Sequence, residues 1–398
     1  MKVLQINSYS NGSTGTIAKS IHNALKKNGD ESVFAYGIGN SSETDFKIGT
    51  ELDFKLHTYG TLLTGLHGYF SKNNTKKLID FIKKENPDII HLHNIHGGYI
   101  NLQVLFNFLK IYNKKVVITL HDCWLFTGKC YHFYEAGCEK WKEKCGNCPQ
   151  TAMYPKSLFF DRTEKMLADK KVLLKDFPNL HVIAVSNWLG DVAKESFLGE
   201  YPISVIYNGI DTSFFFPQDT AEIENKYNLN GKFVILGVAS SWSTDKGLRD
   251  FIKLSEKLQE NEVIVLVGVT EEIKSNLPAN CIGITRTENK TKLAKLYSRA
   301  DVFVNFSAQE TFGMVTAEAM ACGTPVIVSS TTACPEIVCD GTGFVAEPHN
   351  IEQISNYIDK IRRRPRGYYR DACVTHVKKN YTVEKMTASY INLYKNMQ

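Results

Sequence analysis

Short runs of apolar, β-branched residues recur along this chain, separated by helix-length amphipathic segments. A first series reads Val3–Ser8, Val33–Tyr36, Ile89–His93, Val116–His121 and Val182–Ser186. A second reads Val205–Tyr207, Phe233–Ala239, Val263–Val267, Val302–Phe306 and Val326–Ser329. Within each run the apolar character is continuous. A strand with one wet face alternates, so continuous runs mark strands covered on both faces, which means parallel sheets flanked by helices. Alternating strand and helix makes this an α/β chain, and 398 residues are too many for one ordinary core. The two series therefore predict two doubly wound, Rossmann-like domains. The join is expected at Tyr207-Asn208-Gly209-Ile210-Asp211, giving a first domain over 1–206 and a second over 207–381. The closing segment, 382–398, reads as a helix capped by Thr382 that packs back on the first domain.

Doubly wound sheets bind ligands at the carboxyl ends of their strands. With two such sheets the ligand is expected in a cleft between them, so motifs at strand ends matter most. After Val302–Phe306 comes Ser307-Ala308-Gln309-Glu310-Thr311-Phe312-Gly313-Met314-Val315-Thr316-Ala317-Glu318. A helix is expected from near Phe312 to Gly323, the C-terminal glycine being followed by Pro325. Its first-turn N–H groups, around Gly313, Met314 and Val315, lack intrahelical partners and suit an anion. Glu310 lies just before the helix and Glu318 one turn beyond Met314, so both carboxylates can lean toward one ligand. Phe233–Ala239 leads to Ser240-Ser241-Trp242-Ser243-Thr244-Asp245-Lys246-Gly247, where Lys246 is placed to neutralise a diphosphate. In the first half, Asn11-Gly12-Ser13-Thr14-Gly15-Thr16 opens a helix after the first strand, with glycines that allow close backbone approach. His121-Asp122 ends a strongly apolar strand, and His93 and His96 are expected at the same rim.

Taken together, these motifs resemble the retaining, two-Rossmann-domain (GT-B) glycosyltransferases that carry Glu-x7-Glu. Glu310 and Glu318 match that motif, with Phe312-Gly313-Met314-Val315 between them. The resemblance implies that Glu310, Thr311 and the amides through Val315 contact the donor sugar, and that Glu318 holds the ribose. It further implies that Gly12, Ser13, Thr14 and Gly15 lie against the donor phosphates, and that His121 touches the sugar near the reacting carbon. Glu310 and His121 are thus the catalytic candidates. The family usually carries an Arg five or six residues before the Lys, where this chain has Ser240 and Ser241. Arg286, after the strand-like Cys281–Thr285, is a candidate for the base region. The stretch from Thr119 to Gln150 is similar to a bacterial subgroup that builds surface polysaccharides of the colanic-acid type.

The expected reaction moves a sugar from a nucleoside-diphosphate sugar to a hydroxyl of a glycan or polyprenyl-linked acceptor. No Asp-x-Asp occurs, so a metal-independent hexosyl transfer with no required cofactor is expected. Three alternatives stand beside it. A nicotinamide oxidoreductase lacks its Gly-x-Gly-x-x-Gly; a non-catalytic sugar-nucleotide-binding subunit and a sugar-nucleotide epimerase share the architecture. Cys130, Cys138, Cys145 and Cys148 fall within 19 residues and end in Cys-x-x-Cys. They are candidates for a structural zinc site, with reduced thiols and disulfides as the alternatives.

The chain's remaining features bear on location. Lys2 leads straight into a strand, with no export signal, and no apolar run approaches the roughly 18 residues of a membrane span. A cytoplasmic protein is expected. Lys72, Lys76, Lys77, Lys83 and Lys84 accompany the apolar stretch Leu62–Phe70, which suits peripheral docking at the inner face of an anionic membrane. Neither this segment nor the net charge of +5 calls for nucleic acid.

Overall fold

The computed structural model describes residues 1–40, 45–242 and 246–397. The chain forms two compact units. One comprises residues 1–207 together with the stretch from Met386 onward, and the other spans Asn208–Lys385.

The first unit carries a seven-stranded parallel sheet: β1 (Lys2–Tyr9), β2 (Glu31–Ile38), β3 (Phe46–Lys47), β4 (Ile89–Leu92), β5 (Lys115–Leu120), β6 (Leu180–Ala184) and β7 (Ile203–Val205). Their order across the sheet is β3-β2-β1-β4-β5-β6-β7. The second unit carries a six-stranded parallel sheet: β8 (Phe233–Val238), β9 (Glu262–Val267), β10 (Cys281–Ile284), β11 (Val302–Asn305), β12 (Val326–Ser329) and β13 (Gly343–Ala346). Its order is β10-β9-β8-β11-β12-β13. In each sheet the chain first winds away from a central strand and then returns to that strand's other side. The loops after β1 and β4, and those after β8 and β11, therefore leave in opposite directions and open a crevice.

Helix Gly12–Lys27 buries Ala18, Ile21, His22 and Leu25, the 3–4 spacing of one helical face, and ends at Lys26, Lys27 and Asn28. Val3, Ile89, Val117 and Ile183 of the sheet pack with Ile17, Ile21 and Leu25. Met386, Tyr390 and Tyr394 of the last helix, Val383–Met397, complete that cluster at four-residue spacing. In the second unit Ile235, Ile264, Val302 and Ile327 pack with Phe251 and Leu254 from one helix and Ile354, Ile358 and Ile361 from another. Each fully buried aliphatic side chain contributes roughly 1.5–3 kcal/mol.

The strand run expected to open the second series belongs to the first sheet, where Val182 pairs with Ile203 and Ala184 with Val205. Among the described residues no helix is long and apolar enough to cross a membrane.

Candidate functional site

In the second unit, β8 and β11 are the neighbours between which the winding reverses. Lys246 follows β8 and Glu310 follows β11, and their side chains meet: Lys246 Nζ lies 2.8 Å from Glu310 Oε1 and 3.3 Å from Ser307 Oγ. Both side chains are only partly exposed, Lys246 at 32% and Glu310 at 19%, so the pair is poorly screened yet reachable. Gly247 makes this placement work. Its φ is +76°, and a Cβ there would stand 2.2 Å from Phe306 Cβ, so the Lys246 backbone lies directly against the loop after β11. Ser243, Thr244 and Asp245 of the same motif lie outside the described residues.

The loop bearing Glu310 is fastened from both sides. Ser307 N donates to Asn305 Oδ1 at 3.0 Å, and Asn305 Nδ2 donates to Thr316 Oγ1 at 3.2 Å. From the segment after β12, Thr332 Oγ1 accepts the Glu310 N–H at 3.0 Å, and Ala333 N donates to the Glu310 carbonyl at 3.2 Å. Thr332 holds φ +52°, an unfavourable conformation for a β-branched residue. Phe312 is buried against the Tyr381 ring at 5.6 Å, which anchors the far end of the loop, and Thr311 beside it is partly buried.

The helix begins at Met314 rather than near Phe312, because Gly313 adopts φ +95° and breaks the helical path. It runs to Ala321, with Gly323 at φ +85° beyond its end. Gly313 O accepts from Thr316 N and Ala317 N, leaving the first-turn amides of Met314 and Val315 at the helix mouth. Glu318 sits one turn further on. Tyr297, fully buried, donates its hydroxyl to Glu318 Oε2 at 3.1 Å. Glu318 is half-buried as a residue, yet the crowd of protein atoms around its carboxyl desolvates it and pushes it up to about 7, against the pull of Tyr297 and Lys290. Ser240 is exposed and Ser241 is exposed, and Arg286 is exposed as well. Tyr297, Lys290, Thr332 and Gly247 were not singled out from sequence. A tyrosine in a helix or a threonine in a turn carries no local sign of its partner.

In the first unit, β1 and β4 are the corresponding neighbours. Gly12 opens its helix at φ +74°, and Asn11 provides no side-chain cap. Ser13 is exposed there. A Cβ on Gly15 would lie 2.8 Å from the carbonyl oxygen of Tyr9, so this position tolerates only glycine. Asn7 Nδ2 donates to Thr14 Oγ1 at 3.3 Å, and Asn7 Oδ1 accepts the Asn94 N–H at 3.1 Å, tying the loop after β1 to the loop after β4.

His121 follows β5, with Nε2 3.1 Å from His93 Nδ1. Burial lowers the His121 pKa to about 4; Asp122 opposes the shift and His96 adds to it. Asp122 accepts from His96 Nε2 at 2.7 Å and from Trp124 N at 2.8 Å. The Lys170 ammonium lies 3.6 Å from the Trp124 ring centre and donates to the carbonyls of Trp124 and Thr127. His93 is not at a rim. It is 2% exposed and stands behind His121.

Among the described residues no group of three or more His, Cys, Asp or Glu is placed to hold a metal ion, and all ten cysteines are free. Cys130 and Cys148 hydrogen-bond to each other, which favours the thiolate at Cys148 and keeps Cys130 protonated. Cys138 and Cys145 line the same small cavity with Phe133 and Trp141. The lysines of helix Lys72–Glu85 form a solvated face over buried Leu78, Ile79 and Ile82. Of the adjoining apolar stretch, only Leu63 is an exposed large hydrophobic.

Two parallel Rossmann-like sheets, the second with a Lys–Glu pair at its reversal point, define the GT-B class of glycosyltransferases. The chain belongs to Glycosyltransferase Family 4, whose model matches residues 14–214, and the model of glycosyl transferases group 1 matches residues 219–379. It is an enzyme that transfers glycosyl groups. It is 24% identical, over the full length of both chains, to a glycosyl transferase of Escherichia coli named for colanic acid biosynthesis, WcaC. Sucrose-phosphate synthase from Thermosynechococcus elongatus superposes with a TM-score of 0.76 at 18% identity, covering 100% of this chain and 98% of that one. Anabaena HepE in complex with UDP superposes with a TM-score of 0.71 at 16% identity, covering 100% of both chains.

Proposed function

We propose that this glycosyltransferase moves a sugar from a nucleoside-diphosphate sugar to a hydroxyl of a glycan or lipid-linked acceptor, with retention, in cell-surface polysaccharide assembly. The observation that carries the donor assignment is the Lys246–Glu310 pair at the reversal point of the second sheet, beside a helix mouth opened by Gly313. A diphosphate placed there takes the Lys246 ammonium and the amides of Met314 and Val315. These act most strongly on the charge that grows as the diphosphate leaves. Glu310, freed from part of its bond to Lys246, accepts from the hydroxyls of the transferring sugar. Glu318 accepts from the ribose.

The glycosidic carbon–oxygen bond to the diphosphate breaks as a bond to the acceptor oxygen forms on the same face. The acceptor's proton passes to the departing phosphate oxygen. His121 is assigned to the transferring sugar near the reacting carbon. The HepE complexes with UDP and with UDP-glucose support this class of donor, and the colanic acid name of the WcaC relative supports a polysaccharide pathway.

A peripheral membrane contact fits a lipid-linked acceptor. Helix Glu51–Thr64 turns Leu52, Leu56, Tyr59 and Leu63 outward, one stripe at helical spacing and each more than half exposed. Leu158 N donates to the Leu62 carbonyl, which sets exposed Leu158, Phe159 and Phe160 at the end of that stripe. A stripe of this kind suits insertion at a lipid interface. The test of the function is turnover: purified enzyme with nucleotide sugars and lipid-linked glycan extract should release a nucleoside diphosphate only when acceptor is present. No change in any nucleotide sugar under those conditions would contradict the proposal.

A further inference from the structure

Behind His121 lies an unbroken series of buried side-chain hydrogen bonds that ends on the last helix of the chain. His121 Nε2 is 3.1 Å from His93 Nδ1, and His93 Nε2 is 2.8 Å from Gln5 Oε1. Gln5 Nε2 donates to the Tyr394 hydroxyl at 3.3 Å, and that hydroxyl lies 2.7 Å from His91 Nδ1. His91 Nε2 is 2.8 Å from Thr119 Oγ1, which is 3.0 Å from the Tyr390 hydroxyl. Gln5, His91 and Tyr394 show no exposure, and His93 shows 2%. No water can relieve a mismatched donor here, so each bond restricts the next.

The direction follows from one residue. The Gln5 amide gives its hydrogen to Tyr394, so its carbonyl oxygen must receive one, and His93 carries its proton on Nε2. His93 Nδ1 is then a lone pair, and the hydrogen in the last bond comes from His121 Nε2. The Tyr394 hydroxyl, already an acceptor, donates to His91 Nδ1. Turning the Gln5 amide over would reverse every donor in the series and leave His121 protonated on Nδ1 instead.

We propose that Gln5 and Tyr394 are positioning residues that hold His121 in one neutral tautomer, with the proton on Nε2 and the lone pair on Nδ1. Through them the last helix, whose Tyr394 lies 389 residues along the chain from Gln5 of β1, has a part in the chemistry without touching substrate. The inference rests on the reading of His121 as a site residue only for its effect on turnover; the tautomer itself is a separate observable.

The test uses the full chain, labelled with 15N at histidine, and reads long-range proton–nitrogen correlations for wild type and Tyr394→Phe. Wild type should show His121 as a single Nε2–H tautomer. Tyr394→Phe keeps the ring in its place but removes the acceptor for Gln5, and should give His121 a mixed or reversed tautomer. Its kcat should fall about fivefold or more with the donor KM unchanged, and Gln5→Met should behave likewise. Circular dichroism and melting identify any variant that fails to fold, in which case the wild-type tautomer alone decides. An Nδ1–H tautomer in wild type, or an unchanged His121 spectrum in folded Tyr394→Phe, overturns the proposal. A changed tautomer with unchanged kcat would leave the hydrogen-bond series intact and instead remove His121 from catalysis, overturning the kinetic half.

Discussion

Glu318 costs stability at neutral pH, and removing its charge should show this. A free glutamate carboxyl titrates near 4.5, and burial moves Glu318 to about 7. Between those two pH values the folded chain holds a proton that the unfolded chain has lost, so stability falls as pH rises through the window. Above pH 7 the whole cost is present, at most about 3.4 kcal/mol at 1.36 kcal/mol per pH unit. Because Glu318 is only half-buried as a residue, solvent screening reduces this to about 2 kcal/mol. Glu318→Gln keeps the shape and a carbonyl oxygen for the Tyr297 hydroxyl, and it never ionises. Without nucleotide the variant should therefore be more stable than wild type at pH 8.5 by about 2 kcal/mol, or roughly 4–8 °C in melting temperature. Near pH 4.5 the two should melt together. Thermal unfolding of both proteins at the two pH values is the assay. A variant that melts at or below wild type at pH 8.5, or a gap that does not close in acid, would refute the reasoning.

Gly247→Ala should destabilise the second unit by roughly 2–4 kcal/mol, from overpacking against Phe306 and a positive φ, and should weaken nucleotide binding. Denaturant melts and nucleotide titration read the two effects. His121→Ala should lower kcat about a hundredfold or more with little change in donor affinity. Because the wild-type ring stays neutral until about pH 4, its kcat should show no step near pH 6.5; such a step, lost in the variant, would contradict the shift. The double change Leu56→Asp and Tyr59→Asp, on exposed positions, should leave the melting temperature nearly unchanged while weakening binding to phosphatidylglycerol vesicles about tenfold or more. Equal co-sedimentation of both proteins would remove the stripe from membrane contact.

The sheets were legible because a strand buried on both faces needs little more than a continuous apolar run. Val3–Ser8 and Val302–Phe306 announce themselves in that way. The three-residue strand at Ile203–Val205 does not disclose which sheet it joins, since pairing with Val182–Ala184 is a long-range choice. The two-residue β3 and the glycine-led β13 are too short for any periodicity to show. At the candidate site, Lys246, Glu310 and Glu318 were readable as residue types at strand ends and a helix start. That Lys246 and Glu310 touch is set by sheet order across 64 residues of chain, which no local pattern encodes. Gln5 lies inside an apolar strand run and Tyr394 inside the last helix, and neither carries a local sign of the other. Cys-x-x-Cys spacing leaves a metal, reduced thiols and disulfides open, because spacing along the chain does not fix where four thiols point.

The central claim is that a nucleoside-diphosphate sugar is gripped by Lys246, Glu310 and Glu318, and the most direct measurement is ligand-induced thermal stabilisation. A panel of uridine, guanosine and thymidine diphosphate sugars would be screened against wild type, Lys246→Ala and Glu318→Ala. A true donor at about a hundred times its Kd adds close to 2.7 kcal/mol, roughly 5–10 °C. One member of the panel is expected to shift wild type by that amount and to shift neither variant by more than a small part of it. No stabilisation of wild type by any sugar nucleotide, or a full shift retained in both variants, would contradict the account.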